Sequence, residues 1–551
     1  MAIARRDMLK SVAAVGLAAS AQSAEAREKP AKRTREAHFG LKTPASGHKG
    51  LAISGHPAAS EIAVDILREG GNACDALLAA ALAQTVLEPH LTTVTGCFSM
   101  LYYDAATKSS RYLNGNVNAP MAPLEGFSER DVPTGRAVAV PGYWAGFEAA
   151  HRELASMPLS RIMKPAIDHA REGVSCGPFL WAEIYSMQTV IGKTEAGRRI
   201  FMPERALPNP GEKIFQLEAA DFLERLQEEG SNYFYRGAFA EKFCKIVAEA
   251  GGVLTPDDFA RYEVRWDEPV RGTYRGLDIV AAAAPDIGGV HLVEMFNLLE
   301  QADIASKGPA SQSAETLRAM MLSARDVLVA GAAYNDPKYI YLPLDHILSK
   351  DYAAERYARI VSTAPSVGAP PPPPGSCHLT VVDRWGNIAT ALHSTLSIPW
   401  VNGLFVDGVS ICGAANHFLR TMPPPGGRIS VMICPNIIFK DGAPLIASGS
   451  PSTSLIATLV QNITNIVDFG MSVEESVRRP TFGGLVDENG RLSIEADIGD
   501  AFIGSVEKAG LAVEPLNPWS FRHGAFEGIH FTGGQARACG DPRRTSEAIA
   551  V

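Results

Sequence analysis

The chain has 551 residues, 46 % of them hydrophobic and 20 % charged, with a net charge of −9. That balance is ordinary for a soluble globular enzyme and excludes a basic face for nucleic acid or anionic membrane. The eight cysteines form no CxxC pair, which excludes a zinc ribbon and a disulfide framework, and the length suggests about three or four domains of roughly 150 residues.

Residues 1–26 have the order of a secretory leader: Arg5-Arg6, the apolar run Val12–Ala21, then Ala24-Glu25-Ala26 as a cleavage site. The paired arginines point to the twin-arginine route, with a mature chain starting near Arg27 and a periplasmic or otherwise exported product. The apolar run is too short to span a bilayer, so no stable membrane insertion is expected. After a polar, basic lead-in, Ile62, Ile66 and Leu67 have helical spacing, and Gly70-Gly71 ends that helix. Asn72 caps a second helix with Asp75 at its third position, and the alanine-rich run 79–83 behind it predicts close packing. Met100–Asp104 reads as a strand, and residues 144–153, 159–172, 239–250 and 291–300 read as helices.

Residues 364–374 include five consecutive prolines, Pro370–Pro374, which predict an extended linker. Gly375-Ser376 follows and opens two β-rich runs, 377–383 and 388–395, separated by the turn 384–387. The composition thus changes at residue 375 from mostly helical to mostly strand. Two motifs are decoys. Gly173-Val-Ser-Cys-Gly177 has the GxSxG pattern, but a helical lead-in and Pro178 argue against a nucleophile elbow at Ser175. Gly192-Lys193-Thr194 ends like a P-loop, yet Met187 stands where the first glycine is required. No HExxH or similar cluster occurs, and neither metal nor cofactor is expected.

Six stretches in order resemble the gamma-glutamyltranspeptidase family: Gly70–Ala76, Val86–His90, Ala139–Gly142, Gly288–Leu292, Ser376–Asp383 and Gly540–Arg544. The resemblance implies an α+β fold, an αββα sandwich of two antiparallel sheets flanked by helices, as in N-terminal-nucleophile hydrolases. It also implies one precursor cut between Gly375 and Ser376, giving a large subunit (27–375) and a small subunit (376–551) that stay associated. Ser376 matches the nucleophile, a position where threonine is usual. Ser394 matches a threonine that contacts the new amino group, and Ser452-Thr453 match a Gly-Gly pair that supplies oxyanion donors.

The chemistry also stands on the residues alone. A serine hydroxyl needs a base, and cleavage would give Ser376 a free α-amino group with a reference pKa of about 7.7–8.0. One residue then supplies nucleophile and base. Cys377 is the rival nucleophile, since thiols are intrinsically better ones.

The resemblance also marks departures. Asn116 falls where the family has the arginine that grips the glutamyl α-carboxylate, and His417 where it has the aspartate that holds the α-amino group. Leu396 and Val431-Met432 fall where polar contacts are usual. Losing an arginine–carboxylate fork removes two charge-assisted hydrogen bonds. A pocket bordered by Leu396, Trp400, Phe405, His417 and Met432 would suit a small-molecule amide with a less polar acyl group. Asn116→Arg with His417→Asp is expected to shift preference back toward γ-glutamyl substrates. Two alternatives remain: a true γ-glutamyl hydrolase or transferase with rebuilt contacts, and a non-catalytic exported binding protein that keeps the fold.

Overall fold

The computed structural model describes residues 35–331, 333–362, 375–452, 454–486 and 491–551. The leader 1–26, the start near Arg27, the proline run and Thr453 lie outside the described residues. Residues 37–551 form one unit, not the several domains that length suggested. The reason is visible in the strands, which cross the chain's midpoint repeatedly.

Fourteen strands build two antiparallel seven-stranded sheets. In chain order they are β1 (Ala45–Gly47), β2 (Gly50–Ser54), β3 (Cys97–Asp104), β4 (Ser109–Gly115), β5 (Arg265–Asp267), β6 (Val270–Tyr274) and β7 (Leu277–Ala281). After the proline segment come β8 (Cys377–Asp383), β9 (Ile388–Ser394), β10 (Asn436–Lys440), β11 (Ala443–Ser448), β12 (Ile529–Thr532), β13 (Gln535–Ala538) and β14 (Glu547–Ala550). The first sheet has the order β14-β2-β8-β9-β3-β4-β5 and the second β1-β13-β12-β11-β10-β7-β6. Residue 375 is therefore no architectural boundary. Strands β8 and β9, after it, lie at the centre of the first sheet between β2 and β3, before it.

Period-two alternation explains the layers. Leu51, Ile53, Leu101 and Tyr103 face Val280, Ile437, Ala447 and Ile529 of the second sheet and form the core between the sheets. Their neighbours Ala52, Leu379, Val381, Ala389 and Ala391 point outward to helices α1 (Pro57–Arg68), α2 (Ala73–Leu87), α3 (Tyr143–Leu154) and α4 (Leu159–Glu172). On the second sheet, Ile279, Ile438 and Ile446 pack outward against α5 (Gly288–Gln301), α6 (Ala314–Gly331) and α7 (Leu455–Val467). The result is the expected αββα sandwich. Each fully buried leucine or isoleucine in these layers stabilises it by about 1.5–3 kcal/mol.

The Asn72 cap of α2 forms as expected. Its Oδ1 accepts the Asp75 N–H (2.9 Å), and the Asp75 carboxylate accepts the Asn72 N–H (2.8 Å). Asp75 further accepts from Ser156 and Met157, tying α2 to the loop before α4. Ala79–Ala83 are all fully buried, because small side chains let α2 press against the sheet and α4 together. At the GxSxG decoy the local geometry differs from expectation. A two-residue strand, Val174–Ser175, precedes, and Pro178 opens a helix (Pro178–Ile191) at a position where proline is well tolerated. Ser175 is nonetheless exposed, and its hydroxyl donates to the Gly211 carbonyl, not to a histidine. Among the described residues no helix is long and apolar enough to cross a membrane.

Candidate active site

Ser376 is half-buried at the entry to β8, one residue before Cys377, which pairs with His393 on β9. That register brings Ser394, the last residue of β9, beside the Gly375-Ser376 bond. The Ser394 hydroxyl donates a short hydrogen bond to the Gly375 carbonyl oxygen and accepts the Leu396 N–H (2.8 Å). A donor on that oxygen draws electron density from the carbonyl carbon that Ser376 Oγ would attack. Gly375 itself has φ +139, and a Cβ there would lie 2.4 Å from the Ser397 carbonyl oxygen. Glycine is thus required for this bend.

The Ser452 N–H approaches Ser376 Oγ at 3.4 Å, just before α7 begins at Leu455. A backbone donor beside a helix N-terminus favours negative charge at that oxygen. Ser452 has φ +86, a region glycine enters freely and serine enters at a cost of about 1–3 kcal/mol. The Ser452 hydroxyl turns to the Arg522 carbonyl (3.4 Å).

On one side of Ser376 opens a cavity of about 370 Å³. Gly375, Ser376, Ser394 and Ser452 give its polar edge; Leu396, Val431, Met432 and Ile433 give its apolar wall, and His417 also lines it. His417 is buried against the backbone of Ser430 and Leu396, and burial, with Arg420 nearby, pushes its pKa down to about 3. It is therefore a neutral group at physiological pH and cannot hold an ammonium as a carboxylate would.

Three residues expected at the site, Asn116, Trp400 and Phe405, lie elsewhere. Asn116 is fully buried and does not line the cavity; its Nδ2 donates to Asp286 Oδ1 (2.7 Å) and the Ile429 carbonyl (3.1 Å). Trp400 packs with its ring tilted against Phe201, centroids 4.8 Å apart, and lines a separate cavity with Phe405 and Gln216. The chain turns away after Leu396, so proximity in sequence did not carry to space.

A second cavity, about 240 Å³, opens on the other side of Ser376 and is lined by Glu88, Phe179, Cys377, Glu527 and Arg544 among others. Sequence reading assigned none of these except Cys377 a role, although Val86–His90 and Gly540–Arg544 were visible as motifs. A glutamate flanked by Val86, Leu87 and Pro89 is the signal that was available. Glu88 accepts from Gln84 Nε2 (2.8 Å) and from the Cys377 thiol (3.4 Å). Burial first, and then the Glu88 charge, pushes the Cys377 thiol well up. A thiol so held stays protonated and is a poor nucleophile.

The gamma-glutamyltranspeptidase family profile matches residues 59–551. The glutathione hydrolase proenzyme of Bacillus subtilis (strain 168) is 30 % identical over 82 % of this chain and 83 % of its own length. The acylase ACY 1 proenzyme of Pseudomonas sp. (strain SE83) is 30 % identical over 84 % and 86 %. In fold, the chain is similar to cephalosporin acylase from Bacillus halodurans, with TM-score 0.79 at 22 % identity, covering 95 % of this chain and 99 % of that one. With twelve of the fourteen sheet strands and the Ser376 constellation inside the matched span, the chain belongs to the gamma-glutamyltranspeptidase family of N-terminal-nucleophile amidohydrolases.

Proposed function

We propose that the chain cleaves itself between Gly375 and Ser376 and then hydrolyses amides of uncharged, apolar acyl groups through Ser376. The observation that carries this is the Ser394 hydroxyl on the Gly375 carbonyl, with Ser376 Oγ beside it under the Ser452 N–H. In maturation, Ser376 Oγ bonds to the Gly375 carbonyl carbon while the Ser376 nitrogen leaves as an amine and takes the hydroxyl proton. Water then opens the ester, leaving Gly375 as a carboxylate and Ser376 with a free α-amino group.

In turnover that amine takes the proton from Ser376 Oγ as the oxygen attacks the substrate carbonyl. The proton passes to the departing amine, and the acyl group remains as an ester on Ser376. Water, deprotonated by the same α-amino group, releases the acid. The 370 Å³ cavity is the acyl side, and the cavity of Glu88 and Arg544 is room for the amine. Thr453 N–H is proposed to join Ser452 as the second oxyanion donor.

The apolar preference rests on Leu396, Val431 and Met432 and on a neutral His417. Equal identity to a protein named glutathione hydrolase and to one named acylase leaves the cavity residues to decide. The two fragments are expected to stay together, since β8 and β9 are hydrogen-bonded between β2 and β3. Export rests on the leader at residues 1–26, and a cleaved start near Arg27 in the periplasmic fraction tests it. The central test is mass analysis of purified protein: two fragments, the smaller starting at Ser376, against one intact inactive chain for Ser376→Ala. A small fragment that begins elsewhere overturns the assignment.

A further inference from the structure

Behind the apolar wall of the acyl cavity lies a carboxylate that touches neither solvent nor cavity. Asp286, between β7 and α5, is fully buried. It accepts from Ser99 Oγ (2.7 Å), Tyr112 Oη (2.6 Å) and Asn116 Nδ2 (2.7 Å). Burial raises its pKa to about 6 despite these donors. Arg428, the cation whose field reaches it, is committed to Asn114, Asn118 and the Glu263 carbonyl.

The cavity wall hangs on this pair. Asn116 donates to the Ile429 carbonyl (3.1 Å), and Ile429 N–H donates to the Val117 carbonyl (3.2 Å). On the other side Val431 N–H donates to the Pro285 carbonyl (3.2 Å), and Ile287 N–H donates to the Val431 carbonyl (2.8 Å). The segment that presents Val431, Met432 and Ile433 to Ser376 is therefore fixed by the neighbours of Asn116 and of Asp286, and the Asn116–Asp286 bond locks those two anchors together.

We infer that Asn116 and Asp286 form a positioning pair that sets the depth of the acyl cavity and so the length of acyl group accepted. This rests on the reading that the cavity takes the acyl group. Neither side chain touches substrate; both act through Val431 and Met432. Loosening the pair lets the wall recede, so longer acyl chains gain and short ones lose their seat beside Ser376.

The test uses the processed enzyme and a series of straight-chain acyl anilides of increasing length. Asn116→Asp sets two carboxyls face to face, and the ratio of kcat/KM for long over short chains rises about tenfold, the effect of one lost hydrogen bond to a charged group. The exchange Asn116→Asp with Asp286→Asn restores an amide–carboxylate bond with the roles reversed but not the anchor on the Ile429 carbonyl, and returns the ratio part of the way toward wild type. For the short chains KM rises while kcat changes little, a split that general destabilisation does not give. Should Asn116→Asp fail to mature, Ser99→Ala removes one donor from Asp286 and shifts the ratio in the same direction. An unchanged length profile in an active variant, or an exchange that leaves the shift in place, overturns the inference. Cleavage of every anilide that survives Ser376→Ala would instead overturn the proposed function.

Discussion

Asn116 and Asp286, 170 residues apart in the chain, share a 2.7 Å hydrogen bond inside the protein. This one contact changes the expectation that an arginine at position 116 would rebuild a grip on γ-glutamyl substrates. A guanidinium there meets a buried carboxylate before it can meet a ligand, and forms an ion pair with it.

Wild type should therefore cleave a γ-glutamyl anilide about two to four powers of ten less efficiently than a matched apolar acyl anilide, as expected for two missing charge-assisted clamps. Asn116→Arg with His417→Asp should leave that ratio essentially unchanged. The check is kcat/KM for the matched pair on both proteins. Efficient wild-type turnover of the γ-glutamyl compound would show that other residues hold the glutamyl group.

Ser394→Ala removes the donor on the Gly375 carbonyl. Maturation should slow by roughly 10²–10³-fold, the range seen when one oxyanion donor is lost. Ser394→Thr keeps the hydroxyl and should mature at near the wild-type rate. The appearance of the small fragment with time, followed on a denaturing gel, measures both.

Gly375→Ala should not mature at all. The new Cβ would sit 2.4 Å from the Ser397 carbonyl oxygen, and φ +139 is closed to alanine. A variant that yields normal fragments would mean that the bend opens before cleavage.

Cys377→Ala should mature and keep most of its activity, because the thiol is buried and held protonated beside Glu88. Loss of both cleavage and turnover in this variant alone, with Ser376 intact, would move the nucleophile to the thiol.

Stability should fall on acidification. His90, His291, His378, His393, His417 and His523 are each pushed down to about 3, first by burial. The unfolded chain takes up these protons near pH 6.5, whereas the folded chain resists until about 3, so stability present above 6.5 is lost progressively as pH falls through that window. Asp286, raised to about 6, and Glu294, raised to about 7, both first by burial, act in the opposite sense as pH falls through those values toward about 4. These two carboxyls, with Glu88 and Glu527 also raised, do not balance the six histidines. Thermal melts at pH 7 and pH 4.5 should differ clearly, with the lower midpoint in acid.

Local patterns were enough for much of this protein. The capping box at Asn72 and Asp75, the strand of Met100–Asp104, the paired runs after Gly375 and the Ser376 motif are all written within a few residues of themselves. What tertiary structure decided are partnerships between distant segments. Asn116 turns to Asp286, Trp400 joins Phe201 instead of the acyl cavity, and Glu88 meets Cys377 and Arg544 at the back of Ser376. Ser452 adopts a glycine-like φ in the turn just ahead of α7. Sequence spacing sets which residues share a face of one element, but which buried polar groups pair across elements is fixed only when packing removes water and each donor must find an acceptor.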